Sequence, residues 1–320
     1  MKFRLGYVAL TLSLENCSPS GTVTYATYKT LKDDIARRAR LARVSKSNIE
    51  NTLRILKYNY ALNIEVYRLT SKLIPLATHN ELCGWDYSSE FHDELKGLGE
   101  YIKSKNLRIS AHPDHFTILN PIKTEVLEAS IRDLDYHVNL FESLGLYDYK
   151  YKLVLHVGGL YGDKENAIAR FKQNFLQLPD RIRLRIILEN DDKSFTASDV
   201  LDICEELRIP MVLDVHHHNC VNNGEKIGDL LPRIFKTWAK EADPPKVHFS
   251  SPKCEKEFRS HADYINYSDF MEFIYVAKKL DKDVDIMLEV KMKDKALFDL
   301  SDKLKQTNGI VSVNKSTFQI

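Results

Sequence analysis

The sequence predicts an α/β protein built as a single (β/α)8 barrel of the TIM type, on three observations. Eight short β-branched or aliphatic runs recur along 320 residues, longer amphipathic segments separate them, and a polar residue closes every run. Strands alternating with helices form parallel sheets, because parallel neighbours need a long crossover. Eight such units in about 300 residues suit a closed barrel.

The runs are KFRLGYVAL (2–10), IEVYRL (64–69), LRISAH (107–112), YKLVLHVGG (151–159), LRIILEND (184–191), PMVLDV (210–215), KVHFS (246–250) and VDIMLEV (284–290). The clearest helix spans 123–144, where Leu127, Ile131, Leu134, Val138 and Phe141 alternate at four and three spacing on one face. Ser47-Asn48-Ile49-Glu50 has the form of a capping box and predicts a helix start, with Ile49, Leu53 and Leu56 facing the core. Further helices are expected over 90–104, 163–177, 197–207, 226–241, 268–280 and 293–306. No Pro/Gly/Ser-rich linker, repeat or low-complexity tract divides the chain, so residues 1–305 are read as one domain and 306–320 as a C-terminal tail without an assigned role.

Forty-six basic residues against 45 acidic ones leave a formal charge of +1, so any basic surface has to be local. Cys17, Cys83, Cys204, Cys220 and Cys254 form no CxxC pair, which argues against a zinc ribbon or disulfide framework and for a reducing compartment, the cytoplasm. Arg4, Gly6 and Tyr7 interrupt the first apolar run, so it reads as a strand and not an export signal. No run approaches the roughly 20 apolar residues of a membrane helix.

At or just past the strand ends stand Tyr7, Arg68, His112, His156, Glu189, Asp214 with His217, His248 and Glu289. In a barrel these positions converge on one face. A lone carboxylate there often caps a helix, and a lone histidine is more often hydrogen-bonded than metal-bound. Three carboxylates and several imidazoles on one rim, however, need cations to neutralise them. His and Asp/Glu donors without cysteine suit zinc, manganese or iron. His217, three residues past Asp214, can swing over the mouth, whereas His216 and His218 point to either side, in supporting or surface positions. Lys246 and His248, two apart on a strand, face the same way. A lysine there is neutral, salt-bridged to Glu289 or carbamylated. Neighbouring metals suit phosphodiester hydrolysis, but sugar isomerisation on a similar barrel also uses two.

The segments RLGY (4–7), LIPLATH (73–79), AHP (111–113), LVLHVGG (153–159), LEND (188–191), LDVHHH (213–218), PKVHFSS (245–251), His261 and LEVK (288–291) resemble, in order and spacing, the ultraviolet damage endonuclease family. The resemblance covers residues 4 to about 291. It implies a xylose isomerase-like barrel that nicks double-stranded DNA immediately 5′ to cyclobutane dimers and 6-4 photoproducts, leaving a 3′-hydroxyl and a 5′-phosphate. It further implies a cluster of up to three divalent ions, manganese first, with zinc, cobalt or magnesium as alternatives. Its ligands would be His79, His112, His156, Glu189, Asp214, His217, His248, His261 and Glu289, with Glu189 as the bridge. Lys246 matches a lysine that is chemically modified in the family, and Tyr7 is expected to line the pocket. After AHP, His115 and Phe116 stand where the family places a glutamine-tyrosine wedge, and Thr11 replaces an asparagine, so lesion contacts differ here. Tyr25, Tyr28 and Lys29 in the 11–33 insertion, with Arg68, Lys72 and Lys253, are candidates to reach DNA. A monomer without a stable protein partner is expected. An apurinic-site endonuclease or a metal-dependent sugar isomerase is the alternative reading.

Overall fold

The computed structural model describes residues 1–82 and 84–320. Its eight parallel strands close on themselves: β1 (Lys2–Val8), β2 (Val66–Leu69), β3 (Arg108–Ala111), β4 (Lys152–His156), β5 (Ile186–Glu189), β6 (Met211–Asp214), β7 (Lys246–Phe249) and β8 (Val284–Leu288). They pair in chain order, and β1 joins both β2 and β8. Each predicted run holds one strand, since β-branched and aliphatic residues suit a sheet buried on both faces.

The helices are α1 (Tyr25–Thr30), α2 (Asp34–Ala61), α3 (Tyr87–Glu90), α4 (His92–Ser104), α5 (Thr124–Ser143), α6 (Lys164–Gln177), α7 (Asp180–Arg183), α8 (Ala197–Leu207), α9 (Val215–Cys220), α10 (Ile227–Thr237), α11 (Tyr267–Lys278) and α12 (Lys293–Lys305). One expected start is corrected. The Ser47–Glu50 box lies inside α2, which begins at Asp34 because the Asp33 carboxylate accepts from the Ala36 amide at 2.8 Å. Asn48 is buried and spends its side-chain amide on the Lys72 and Leu73 carbonyls, at 3.2 and 3.0 Å, tying α2 to the loop beyond β2. The tail folds back as a hairpin of β9 (Val311–Ser312) and β10 (Thr317–Gln319), and β10 pairs antiparallel with β1. There the buried Phe318 ring stacks on Phe3 at 5.5 Å.

Alternation along the strands divides inside from outside. Val154, Ile187 and Val212 fill the barrel interior against Trp238, and Val8, Val66 and Met287 form a second apolar group. Near the N-terminal end of the barrel, Asp285 takes two hydrogen bonds of 2.7 Å from the Arg4 guanidinium and another from Arg108. Above this ion cluster the Lys246 Nζ lies 2.8 Å from the Ser110 hydroxyl. Cys17, Cys204, Cys220 and Cys254 are free thiols, and Cys83 lies outside the described residues. Among the described residues no helix is long and apolar enough to cross a membrane.

Candidate metal centre

Strand register brings the donors together. His156 at the end of β4 is the register partner of Glu189 on β5, and Asp214 on β6 is that of His248 on β7. Glu189 is almost fully buried and sits at the hub. His112 Nε2 lies 3.0 Å from its Oε2 and His248 Nδ1 lies 2.8 Å from its Oε1, while His156 and His217 approach to 3.7 and 3.8 Å. Glu289 Oε1 lies 3.0 Å from His248 Nδ1 and also takes a hydrogen bond from Arg68. Three groups of donors have one ligand atom from each member within 4.8 Å of the others: His112, His156 and Glu189; Glu189, Asp214 and His217; Glu189, His248 and Glu289. Glu189 belongs to all three.

The local sequence explains the aim of each side chain. Asp214 ends β6 and caps α9, its Oδ1 accepting from the His217 amide at 2.7 Å, so the carboxylate and the imidazole are set at a fixed offset. Asp214 Oδ2 is buried without a partner, and so is His248 Nε2. His112 Nδ1 meets the Pro113 carbonyl at 2.9 Å and His156 Nδ1 meets the Glu189 carbonyl at 3.3 Å, which orients both rings. With Nδ1–H donating to a carbonyl, each ring turns its Nε2 lone pair toward the same Glu189 oxygen. Lone pair against carboxylate is repulsive unless a proton or a metal ion lies between them.

Charge follows from this crowding. Burial pushes the Asp214 carboxyl up to about 7. Burial alone would lower the His217 imidazole, yet the facing Asp214 and Glu189 carry it up to about 9. Burial works against ionised Glu189 and Glu289, but the surrounding imidazoles hold Glu189 well below the usual carboxylate range, and Arg68 with His248 holds Glu289 at about 2. Burial lowers His156 and His261. Ionised Glu189 and Glu289 beside the unprotonated His156 and His261, with a proton held between Asp214 and His217 that a cation can displace, make a donor set that could hold a divalent ion.

The other predicted positions are less uniform. His261 lies beside the cluster, its ring 6.2 Å from His217 and its Nδ1 bonded to the Glu289 carbonyl, but outside the three donor groups. His79 is likewise outside the three donor groups, and its ring stacks on Tyr25 with centroids 4.0 Å apart. Tyr7 does not line the cleft. Its strand position faces the surrounding helices, and its buried hydroxyl bonds Thr11 and, at 2.5 Å, Asn59 of α2. Thr11 is likewise buried in that contact and offers nothing to a ligand. Arg68 is occupied by Glu289. Lys246 does not pair with Glu289; its Nζ meets the Ser110 hydroxyl, and burial and the nearby Arg108 push its pKa well down. His216 and His218 are buried and reach the Arg259 and Glu225 carbonyls, at 3.4 and 3.1 Å, rather than the surface. Lys253 is exposed and paired with Glu257.

Beside the cluster opens a cleft of about 490 Å³ whose lining includes His112, His115, His156, Tyr161, His217 and His261. His115 and Phe116 stand exposed on the loop after β3, rings 3.8 Å apart. Sequence reasoning missed Asn190, whose side chain bonds both backbone groups of Asp214 at 2.9 and 3.0 Å and whose carbonyl meets His217 Nδ1 at 2.9 Å. An asparagine directly after a strand-end glutamate was the available signal. Arg259 was also missed; it lines the cleft and pairs with Asp192.

The family model described as UV-endonuclease UvdE matches residues 3–320. The chain belongs to that family. The UV DNA damage endonucleases of Bacillus mycoides (strain KBAB4) and Bacillus thuringiensis subsp. konkukian (strain 97-27) are each 43% identical over 319 residues, covering 100% of both chains. The crystal structure of SacUVDE superposes with a TM-score of 0.84 at 34% identity, covering 95% of this chain and 98% of that one. A xylose isomerase-like protein from Rhodospirillum rubrum shares the fold alone, with a TM-score of 0.55 at 11% identity over 75% of this chain and 85% of its own. The chain is thus a TIM-barrel member of the ultraviolet endonuclease family, with donor groups able to hold a metal ion.

Proposed function

We propose that this UvdE protein is a metal-dependent hydrolase that nicks duplex DNA immediately 5′ to cyclobutane dimers and 6-4 photoproducts, leaving a 3′-hydroxyl and a 5′-phosphate. It acts as a cytoplasmic monomer. The observation that carries the reading is Glu189, one buried carboxylate shared by three donor groups beside an open cleft. His112, His156, Asp214, His217, His248 and Glu289 would hold, with Glu189, a cluster of up to three divalent ions, manganese first, and His261 stands beside them. Divalent ions, when bound, acidify water and offset charge on the attacking and leaving oxygens of an in-line displacement.

The protein's own groups prepare that site. Arg68 keeps Glu289 ionised, the Pro113 and Glu189 carbonyls fix the ring orientation of His112 and His156, and Asp214 aligns His217 through the helix cap. Burial and Arg108 lower the Lys246 pKa and so favour its neutral amine, which adds to carbon dioxide: a nitrogen–carbon bond forms, one proton leaves to solvent, and the resulting carbamate is an anion beneath the cluster. His115 and Phe116 fill the gap left when the weakly stacked lesion swings out, which costs least where pairing is already damaged.

The test incubates the purified protein and manganese with irradiated, unirradiated and apurinic duplexes. Cutting confined to the irradiated duplex, on its 5′ side, is the expected result. Equal cutting of irradiated and unirradiated strands, or cutting of the apurinic duplex alone, would refute it.

A further inference from the structure

The loop Gly158-Gly159-Leu160-Tyr161-Gly162 between β4 and α6 carries a cost that its own packing does not explain. Gly158 and Gly162 have φ of +120° and +79°, and Tyr161 adopts +53° between them. A bulky aromatic residue in the left-handed region is strained, and glycine would occupy it freely. The strain secures no buried contact large enough to account for it, because Tyr161 remains 43% exposed.

The surroundings hold the ring in place. Asn120 pins the loop, its amide donating to the Gly159 carbonyl at 2.9 Å and its side-chain oxygen accepting from the Gly159 amide at 3.2 Å. A side chain at Gly158 would meet that oxygen at 2.1 Å, so the glycine permits the close approach. At Gly159 an added Cβ would lie 3.0 Å from the Tyr161 ring, so the second glycine is what lets the ring fold back over the loop. The Arg170 guanidinium stands 5.4 Å from the ring centre and is itself tied to the Asn120 carbonyl at 3.3 Å. An exposed aromatic ring, backed by a cation and fixed on a braced loop, therefore lines the same cleft as His112, His156 and His115.

We propose that Tyr161 is a stacking surface for a base of the extruded lesion, and so a residue that sets lesion specificity. The inference rests on the endonuclease reading above and names a contact which that reading lacks. Aromatic side chains bind unpaired bases through their π-faces, and intact duplexes keep their bases stacked internally, so the contact is made only where a base has left the helix. Strain in the free protein is then the cost of presenting the ring ready for use.

The experiment measures binding of irradiated and unirradiated duplexes, and thermal stability, for wild type, Tyr161→Phe, Tyr161→Leu and Tyr161→Gly. Loss of one base–aromatic stack predicts about 5- to 150-fold weaker binding of the irradiated duplex by Leu and Gly, with the unirradiated duplex unchanged. Phe should stay within about threefold of wild type, since the π-face remains. Gly should melt no lower than wild type, because it relieves the left-handed backbone. Wild-type irradiated-duplex affinity in the Leu variant, a loss shared equally by the unirradiated duplex, or a Phe variant as weak as Leu would each overturn the proposal. If wild type itself does not distinguish the two duplexes, the endonuclease reading has failed, a result separable from failure at Tyr161 alone.

Discussion

Asp285→Asn tests the physical account of the barrel interior without any metal. Its carboxylate, 1% exposed, faces two guanidiniums: Arg4 through two hydrogen bonds of 2.7 Å, and Arg108 through a short contact. Removing one member of a buried ion pair costs about 3–5 kcal/mol, because the partner charge is left desolvated. Two features set the estimate at the lower end. Arg4 keeps Glu65 at 3.1 Å, and Arg108 keeps the Pro244 carbonyl at 2.8 Å and Asp243 at 3.5 Å. About 3 kcal/mol at roughly 2 °C per kcal/mol for a chain of this length gives a melting temperature about 6 °C lower at neutral pH.

The pH dependence has a definite sign. Burial alone would raise the Asp285 carboxyl, but Arg108 and Arg4 hold it below the usual aspartate value. A depressed native pKa means the stabilisation is complete above the unfolded value of about 3.9 and is lost as pH falls through the native one. Protonated Asp285 then resembles asparagine, so the gap between wild type and variant should begin to narrow as pH falls below about 3.9 and close only once the depressed native carboxyl is itself protonated. Melting curves across that range are the assay. A shift under about 1 °C at neutral pH, or a gap that does not change with pH, would refute the reasoning.

The metal centre yields sharper contrasts. Glu189→Gln is expected to abolish cutting and strip the bound ions while duplex binding persists, whereas His79→Ala, outside the three donor groups, should lose at most one ion; metal analysis beside a gel-shift measurement separates the two. Phe116→Ala, removing a ring 72% exposed on the loop after β3, should weaken binding of irradiated duplex by about 1–3 kcal/mol and leave the melting temperature within about 1 °C. Because burial and Arg108 lower the Lys246 pKa and so favour the neutral amine, a carbamate should form at neutral pH from isotope-labelled bicarbonate and give a carbon resonance that Lys246→Ala lacks; its absence in fully active protein would end the carbamate reading.

Most of the barrel was legible because its signal is local. Each strand is an apolar run of a few residues, and each polar strand end, from Arg68 to Glu289, is marked by the point where that run stops. The start of α2 was misread because Ser47 and Glu50 have the local form of a capping box, whereas the chain is already helical from Asp34, where the Asp33 carboxylate makes the cap. Tyr7 and Thr11 were misread for a related reason. Motif position says which end of a strand a residue occupies, but the pleat decides whether it faces the cleft or the helices, and Tyr7 faces Asn59.

By itself, then, the sequence determined the eight-strand architecture and the set of acids and imidazoles at its mouth, since period, length and chemical type are properties of short segments. Only the tertiary structure decided that Glu189 serves three donor groups, that His79 stacks on Tyr25, and that Asp285 is shared by Arg4 and Arg108. Those facts depend on register and approach between strands and loops far apart in the chain, where a shift of one residue turns a side chain to the opposite face.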